Sequence, residues 1–131
     1  MKFEKAYQLP YPVEATFSAW VSPDAVVAPV TSIEVDPRVG GVFRLIVGSG
    51  ANNSLMDGKI LEFERNQRIR YTWFWGGEES ASIVDVMFSE ANGETQLRIT
   101  HSEIETQESV SMYARGWDDY IAGLSTHLNR T

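Results

Sequence analysis

Hydrophobic and polar residues alternate along most of this chain, with the two-residue period of strands that bury one face. The alternation predicts strands over residues 3–9, 31–36, 41–47, 55–63, 68–75, 80–88 and 95–104. Short joints containing Gly and Asn separate consecutive strands after the second one. Because short joints between strands form hairpins, the sheet is predicted to be an antiparallel meander.

Two parts of the chain have helical spacing instead. Phe17 and Trp20 belong to an apolar stripe that follows the first strand, and Ser22-Pro23-Asp24 has the sequence of a second helix start. A longer apolar stripe after residue 105 predicts a helix of about 22 residues, roughly 33 Å long at about 1.5 Å per residue. The predicted fold is therefore α+β: a curved antiparallel sheet of about seven strands wrapped on a long C-terminal helix, with two short helices after strand 1.

A corner precedes the third strand, at Asp36-Pro37-Arg38-Val39-Gly40-Gly41. Proline fixes its own φ and paired glycines allow torsions that are closed to other residues. We expect the carboxylate of Asp36 and the guanidinium of Arg38 to pair across this corner and to hold it.

Gly116 and Trp117 lie in the middle of the predicted C-terminal helix. A glycine there is about 1 kcal/mol less favourable than alanine, so a compensating contact is expected. The sequence predicts that Gly116 lets the helix approach a neighbouring strand or the first helices, and that Trp117 fills the core beneath it.

Composition and charge narrow the range of functions. The chain has 131 residues, enough for one domain over 1–131, and a formal net charge of -7 with no cysteine. The negative charge argues against nucleic-acid partners, and thiolate chemistry is excluded. The sequence has no long apolar stretch that would insert into a membrane, so a cytoplasmic location is the simplest expectation. With two histidines and no close carboxylate pairing, neither a metal nor another cofactor is predicted.

Several short motifs, taken in order, resemble a known family. They are Asp36-x-Arg38-x-Gly40-Gly41, Gly58 opening Lys59-Ile60-Leu61-Glu62, Arg70-Tyr71-Thr72-Trp73, Thr95-x-Leu97 with Thr100-His101, and Gly116-Trp117. With the order of elements, they resemble the START-like (SRPBCC, Bet v 1-like) superfamily and, within it, the Aha1-like branch (activator of Hsp90 ATPase homologue 1-like). The resemblance implies the helix-grip fold, in which a cavity lies between the sheet and the C-terminal helix.

The first functional hypothesis is a domain that binds a small apolar or aromatic molecule between the sheet and the C-terminal helix, without catalysis. Large apolar and aromatic side chains on the predicted concave face are typical of such a pocket. The candidate cavity residues are Phe43, Leu45, Tyr71, Trp73, Trp75, Val86, His101, Tyr113 and Trp117. Core packing is the competing interpretation for the aromatic residues among them.

Two other functions remain open. A cyclase or dehydratase using the same cavity would need His101 as base and Tyr113 as proton donor, with both polar tips converging on one point. A chaperone-associated interaction module would need an exposed apolar patch on the outer sheet face or an edge strand. No catalytic set is assigned, because Ser49 lies in a loop and the acidic pairs 78–79 and 118–119 are predicted to be solvated. A homodimer is compatible with any of the three functions.

Overall fold

A computed structural model describes residues 1–48, 53–76 and 79–130, so the predicted loop position of Ser49 and the residue Glu78 lie outside the described residues. The elements are, in chain order, β1 (Phe3–Leu9), α1 (Val13–Trp20), β2 (Val30–Val35), β3 (Val42–Val47), β4 (Ser54–Glu64), β5 (Arg68–Trp75), β6 (Ser82–Ala91), β7 (Glu94–Ser102) and α2 (Gln107–Asn129). The strands form one antiparallel sheet in the order β1-β7-β6-β5-β4-β3-β2. The predicted α+β helix-grip fold is confirmed, and the strand bounds differ from the predicted ones by three residues or fewer.

One face of the sheet is buried because apolar residues occupy alternate strand positions. In β5, Ile69, Tyr71 and Trp73 are 0%, 1% and 7% exposed, whereas Arg70 and Thr72 lie on the opposite, partly exposed face. The next strands repeat this alternation. Two-residue periodicity therefore places Tyr71, Trp73 and Trp75 of β5 on the side that faces the helices, and Phe74 on the other side.

The long helix α2 covers this inner face. Thr106 caps its first turn, since its hydroxyl accepts a hydrogen bond from the backbone N–H of Ser109 at 3.1 Å. The buried side chains of α2 recur at helical spacing and point at the sheet. They are Tyr113, Trp117, Ile121, Leu124 and Leu128. The core therefore lies between α2 and the sheet, with α1 closing one side of it.

The prediction of a second short helix is wrong. Residues 21–29 form isolated turns, and the hydroxyl of Ser22 accepts a hydrogen bond from the N–H of Asp24 at 3.1 Å without a helix following. These turns bury Ala25 and Val27 in the core. Pro29 cannot donate a backbone hydrogen bond, which prevents a helix from continuing towards β2.

The predicted pairing at the corner before β3 is confirmed. The Nε of Arg38 donates to Oδ2 of Asp36 at 2.7 Å, but the two side chains are 70% and 43% exposed, so the pair contributes at most about 1 kcal/mol. The backbone N–H of Gly41 also bonds to the carbonyl of Arg38 at 2.9 Å. A Cβ at Gly41 would collide with the carbonyl oxygen of Asp36. The turn therefore depends more on this glycine than on the ion pair.

The prediction that Gly116 permits a close approach of the helix is wrong. Gly116 is exposed, and a Cβ added there would meet no other atom within 4 Å. The glycine of α2 with a packing role is Gly123, where a Cβ would overlap the Val27 side chain. Trp117 is 5% exposed and lies in the core as predicted.

The two glycines of α2 should respond in opposite ways to alanine. Gly116→Ala should raise the free energy of unfolding by about 1 kcal/mol, because alanine is the better helix former and meets no neighbour. Gly123→Ala should lower it by about 1 kcal/mol or more, since Val27 must move away. Urea unfolding of both variants measures the difference, and each is the matched control for the other. Equal stabilisation by both would show that contact with Val27 does not constrain α2.

Candidate functional site

Five side chains form a continuous group of rings between the sheet and α2, which we name the aromatic wall. Its members are Tyr71 and Trp73 of β5, His101 of β7, and Tyr113 and Trp117 of α2. Trp73 is central: its ring centroid lies 5.3 Å from those of Trp117 and His101, 5.9 Å from that of Tyr113 and 6.5 Å from that of Tyr71. Three elements distant in sequence therefore meet at Trp73.

The other four candidate residues also lie on the inner face. Phe43 stacks on Tyr71 of the wall with a centroid distance of 4.4 Å, and half-buried Trp75 lies 6.0 Å from Trp73. Leu45 and Val86 are 8% and 0% exposed. The structure brings the candidate residues together in one core, and contact of any of them with a ligand stays a prediction.

His101 is held by hydrogen bonds on both ring nitrogens. The indole Nε1 of Trp117 lies 3.1 Å from Nδ1, and the hydroxyl of Ser82 lies 2.8 Å from Nε2. An indole N–H can only donate, so Nδ1 must be the acceptor and the neutral ring carries its proton on Nε2. Nε2 then donates to Ser82, whose hydroxyl in turn lies 3.3 Å from the carbonyl oxygen of Trp73.

Burial keeps His101 uncharged. His101 is 0% exposed, and this burial lowers its pKa to about 4. Protonation of Nδ1 would also place two N–H groups, those of His101 and Trp117, against each other. The ring is therefore neutral at physiological pH.

The enzyme hypothesis required the polar tips of His101 and Tyr113 to converge on one point, and the two rings do lie against each other. Their rings stack with a centroid distance of 4.5 Å and an interplanar angle of 26°. However, Trp117 occupies the one ring nitrogen of His101 that could accept a proton. His101 is therefore poorly placed as a general base, and the enzyme hypothesis stays a prediction with no geometric support from this histidine.

Two other indole groups of the core lack a well-formed hydrogen bond. Within the described part of the chain, Nε1 of Trp20 and Nε1 of Trp73 are buried and make no hydrogen bond of ordinary geometry. Trp20 comes from α1, is 1% exposed, and stacks on Trp117 at 5.9 Å. Most buried polar groups in proteins are hydrogen-bonded, so two such donors in one core require an explanation.

A small polar cluster surrounds the indole of Trp20. The ring of Tyr120 lies 5.1 Å from it. Burial raises the pKa of Tyr71, the nearby Tyr120 raises it further, and the approaching N–H of Trp20 lowers it. The hydroxyl oxygen of Tyr71 is therefore an acceptor near the Trp20 N–H, and we name Trp20, Tyr71 and Tyr120 together the Trp20 cluster.

Sequence reasoning did not include Trp20, Tyr120 or Ser82 among the candidate site residues. The apolar stripe of α1 indicates a buried face, but it does not show that this face meets α2. Ser82 faces His101 only through the antiparallel register of β6 and β7, which pairs Val84 with His101. No local signal in the sequence gives that register.

Asp118 has a structural role that the sequence did not suggest. Its Oδ1 accepts hydrogen bonds from Nζ of Lys5 at 2.9 Å and from the hydroxyl of Tyr7 at 2.7 Å. Its pKa is lowered, first by the bond from Lys5 and then by the bond from Tyr7. These bonds tie α2 to the edge strand β1, while the Asp118 side chain stays 50% exposed, as the prediction of a solvated face requires.

The exposed apolar residues of the strands do not gather in one place. Leu55 and Leu61 lie near opposite ends of β4, with Asp57 and Lys59 between them. Met87 of β6 is 51% exposed, and its partners on both neighbouring strands are arginines. The interaction-module hypothesis stays a prediction, since these three residues do not make a continuous patch.

Two further searches gave negative results over residues 1–48, 53–76 and 79–130. No group of three or more His, Cys, Asp or Glu side chains is arranged to hold a metal ion. No helix there has the length and apolar character needed to cross a membrane.

The family can now be stated from comparison with known proteins. Residues 10–129 match the model of the family described as "Activator of Hsp90 ATPase homolog 1-like protein". The chain belongs to this family. The match includes the aromatic wall, the Trp20 cluster and all of α2. A search of curated proteins found no match to the sequence.

Solved structures share the fold over almost the whole chain. A protein from Mesorhizobium loti has a TM-score of 0.87 and 21% identity, covering 100% of this chain and 98% of that one. CalU16 from Micromonospora echinospora has a TM-score of 0.78 and 22% identity, covering 97% of this chain and 73% of that one. An HSP90 activator from Plasmodium falciparum has a TM-score of 0.79 and 26% identity, covering 98% of this chain and 96% of that one.

The environment of His101 predicts a specific loss of stability in acid. The pKa is lowered from 6.5 to about 4 on folding, so between these values the unfolded chain binds more protons. The contribution of His101 to the free energy of unfolding is complete above about pH 6.5. It falls as the pH drops towards 4, by up to about 3 kcal/mol. The slope of unfolding free energy against pH should therefore be smaller in His101→Asn than in the parent. His127→Asn, outside this hydrogen-bonded chain, is the control. An unchanged slope in His101→Asn would contradict the description of a buried neutral ring.

Proposed function

We propose that this protein binds a small, uncharged, mainly apolar aromatic molecule between the inner face of the sheet and α2. The observation that carries the proposal is Trp73, which lies at the centre of the aromatic wall with a buried indole N–H and no acceptor for it. A buried donor without a partner costs about 1–3 kcal/mol. A ligand that brings an acceptor oxygen into the wall removes that cost.

The charge of the interior supports an uncharged ligand. The buried polar residues in the described part of the chain are Thr16, Ser82, Thr95 and His101, and His101 is neutral. A charged ligand would therefore be buried without an opposite charge, which is strongly unfavourable. Neutral aromatic molecules match both the rings and the hydroxyl and indole groups between them.

Binding has to open the wall. The centroids of neighbouring rings in the wall lie 4.5–6.5 Å apart, which are contact distances, so the rings must rotate or separate to admit a ligand. That rearrangement reduces the observed affinity, because only the opened form binds. We therefore expect dissociation constants on the order of micromolar, about -8 kcal/mol.

Calorimetric titration with 2-naphthol tests the proposal. The parent protein should bind it saturably, and Trp73→Phe should weaken binding by about tenfold, because the substitution removes the indole N–H while keeping an aromatic ring. Phe74→Leu is the matched control, since residue 74 follows on the opposite face of the same strand. Circular dichroism checks that each variant is folded.

The absence of saturable binding by the folded parent protein would overturn the proposal. Binding that Trp73→Phe and Phe74→Leu reduce equally would also count against it. In that case the ligand would not lie on the inner face of β5.

A further inference from the structure

The outward face of α2 carries a regular pattern of exposed residues. Six of them recur along the helix at alternating spacings of four and three, on the side opposite the buried residues. We name this row the α2 seam, and its members are Glu108, Met112, Arg115, Asp119, Ala122 and Thr126. These spacings are the ones with which one helix packs along another in a coiled coil. The α2 seam therefore has the form of a helix-binding surface, although in the described chain it faces solvent.

The α2 seam matches a second copy of itself that runs in the opposite direction. When a two-fold axis passes α2 at the level of residue 117, Arg115 lies opposite the partner's Asp119. Met112 then lies opposite the partner's Ala122, so a long side chain meets a short one. Each of these contacts occurs twice, because a two-fold axis pairs identical surfaces. A parallel pair would instead place Arg115 against the partner's Arg115, and facing like charges are unfavourable.

Arg115 and Asp119 have no ionic partner within the described part of the chain. The ion pairs found there all join other residues. The seam carries one positive and two negative side chains, so it is much closer to neutral than the whole chain, which has a net charge of -7. Opposite charges across the axis therefore offset part of the repulsion between two acidic chains.

Gly116 gains a role in this arrangement. It is exposed, a Cβ there would meet no other atom within 4 Å, and glycine is less favourable than alanine in a helix interior. Gly116 lies on the flank of the α2 seam and close to the two-fold axis, so the two copies of this glycine come near each other. Without side chains at that point, the two helices can approach closely.

We infer that the α2 seam binds a second copy of this chain, forming an antiparallel pair of α2 helices with two Arg115–Asp119 ion pairs. The helix has 23 residues, which is about 35 Å of contact length at about 1.5 Å per residue. One mostly polar helix face is smaller than the interface of a stable dimer, so the dissociation constant should be on the order of 100 µM. The aromatic wall lies on the other side of α2, so this inference does not depend on the proposed function.

Exchange of charges on the α2 seam tests the pairing. Sedimentation equilibrium of the parent protein, at concentrations up to about 1 mM, should show monomer and dimer in equilibrium. Arg115→Asp and Asp119→Arg should each weaken dimerisation at least about tenfold, because like charges then face each other across the axis. An equimolar mixture of these two variants should dimerise again, since every facing pair in the mixed dimer has opposite charges.

The control is Arg65→Asp, which changes the net charge by the same amount at an exposed position in the turn between β4 and β5. It should dimerise like the parent, and circular dichroism checks that all variants are folded. A parent protein that stays monomeric at about 1 mM would overturn the inference. Dimerisation that both seam variants leave unchanged would place the interface elsewhere on the protein. Loss of dimerisation without recovery in the mixture would rule out the antiparallel Arg115–Asp119 pairing.

Discussion

The hydrogen bond from the indole of Trp117 to Nδ1 of His101 fixes how the covering helix lies on the sheet. Apolar contacts alone tolerate small shifts of a helix along a sheet, whereas a buried hydrogen bond has one geometry. The bond continues through Nε2 of His101 to Ser82 and on to the carbonyl of Trp73, so it joins α2, β7, β6 and β5. Removing any one of these groups would leave another buried polar group unpaired. This series of hydrogen bonds therefore matters for the stability of the core.

This hydrogen-bonded chain also determines which groups are available for function. A histidine inside a cavity suggests acid–base chemistry, but here both nitrogens of His101 are occupied within the protein and the ring is neutral. The indole group of Trp73 is the donor left over. It indicates recognition of an uncharged acceptor more than proton transfer, which is why a binding function is favoured over an enzymatic one.

The periodicity of the sequence predicted the architecture because burial of one face imposes a period on every strand and on the long helix. Periodicity could not decide which structure a short segment adopts when its residues suit more than one. Ser22-Pro23-Asp24 can begin a helix or form a turn, and only the need to bury Ala25 and Val27 before β2 decides between them. Gly116 and Gly123 lie two turns apart on α2, and only the position of Val27 shows which one permits a close contact.

For the candidate site, the sequence predicted which face the residues occupy but not which partners they contact. Strand parity placed Tyr71, Trp73 and His101 on the inner face, as the structure has them. It could not give the partners of His101, because these depend on strand register and on the rotation of α2. Trp20 was recognisable as buried, but its position beside Trp117 follows from the packing of α1 against α2.

The indole N–H signals in a ¹⁵N–¹H correlation spectrum test the central claim most directly, with assignment by single Trp→Phe variants. The account predicts that the Trp117 signal lies downfield, exchanges slowly with solvent and stays in place when 2-naphthol is added. The signal of Trp73 should lie upfield of it and move as the probe binds. A Trp117 signal without the properties of a hydrogen-bonded group, or a Trp73 signal that remains fixed while the probe binds, would contradict the account.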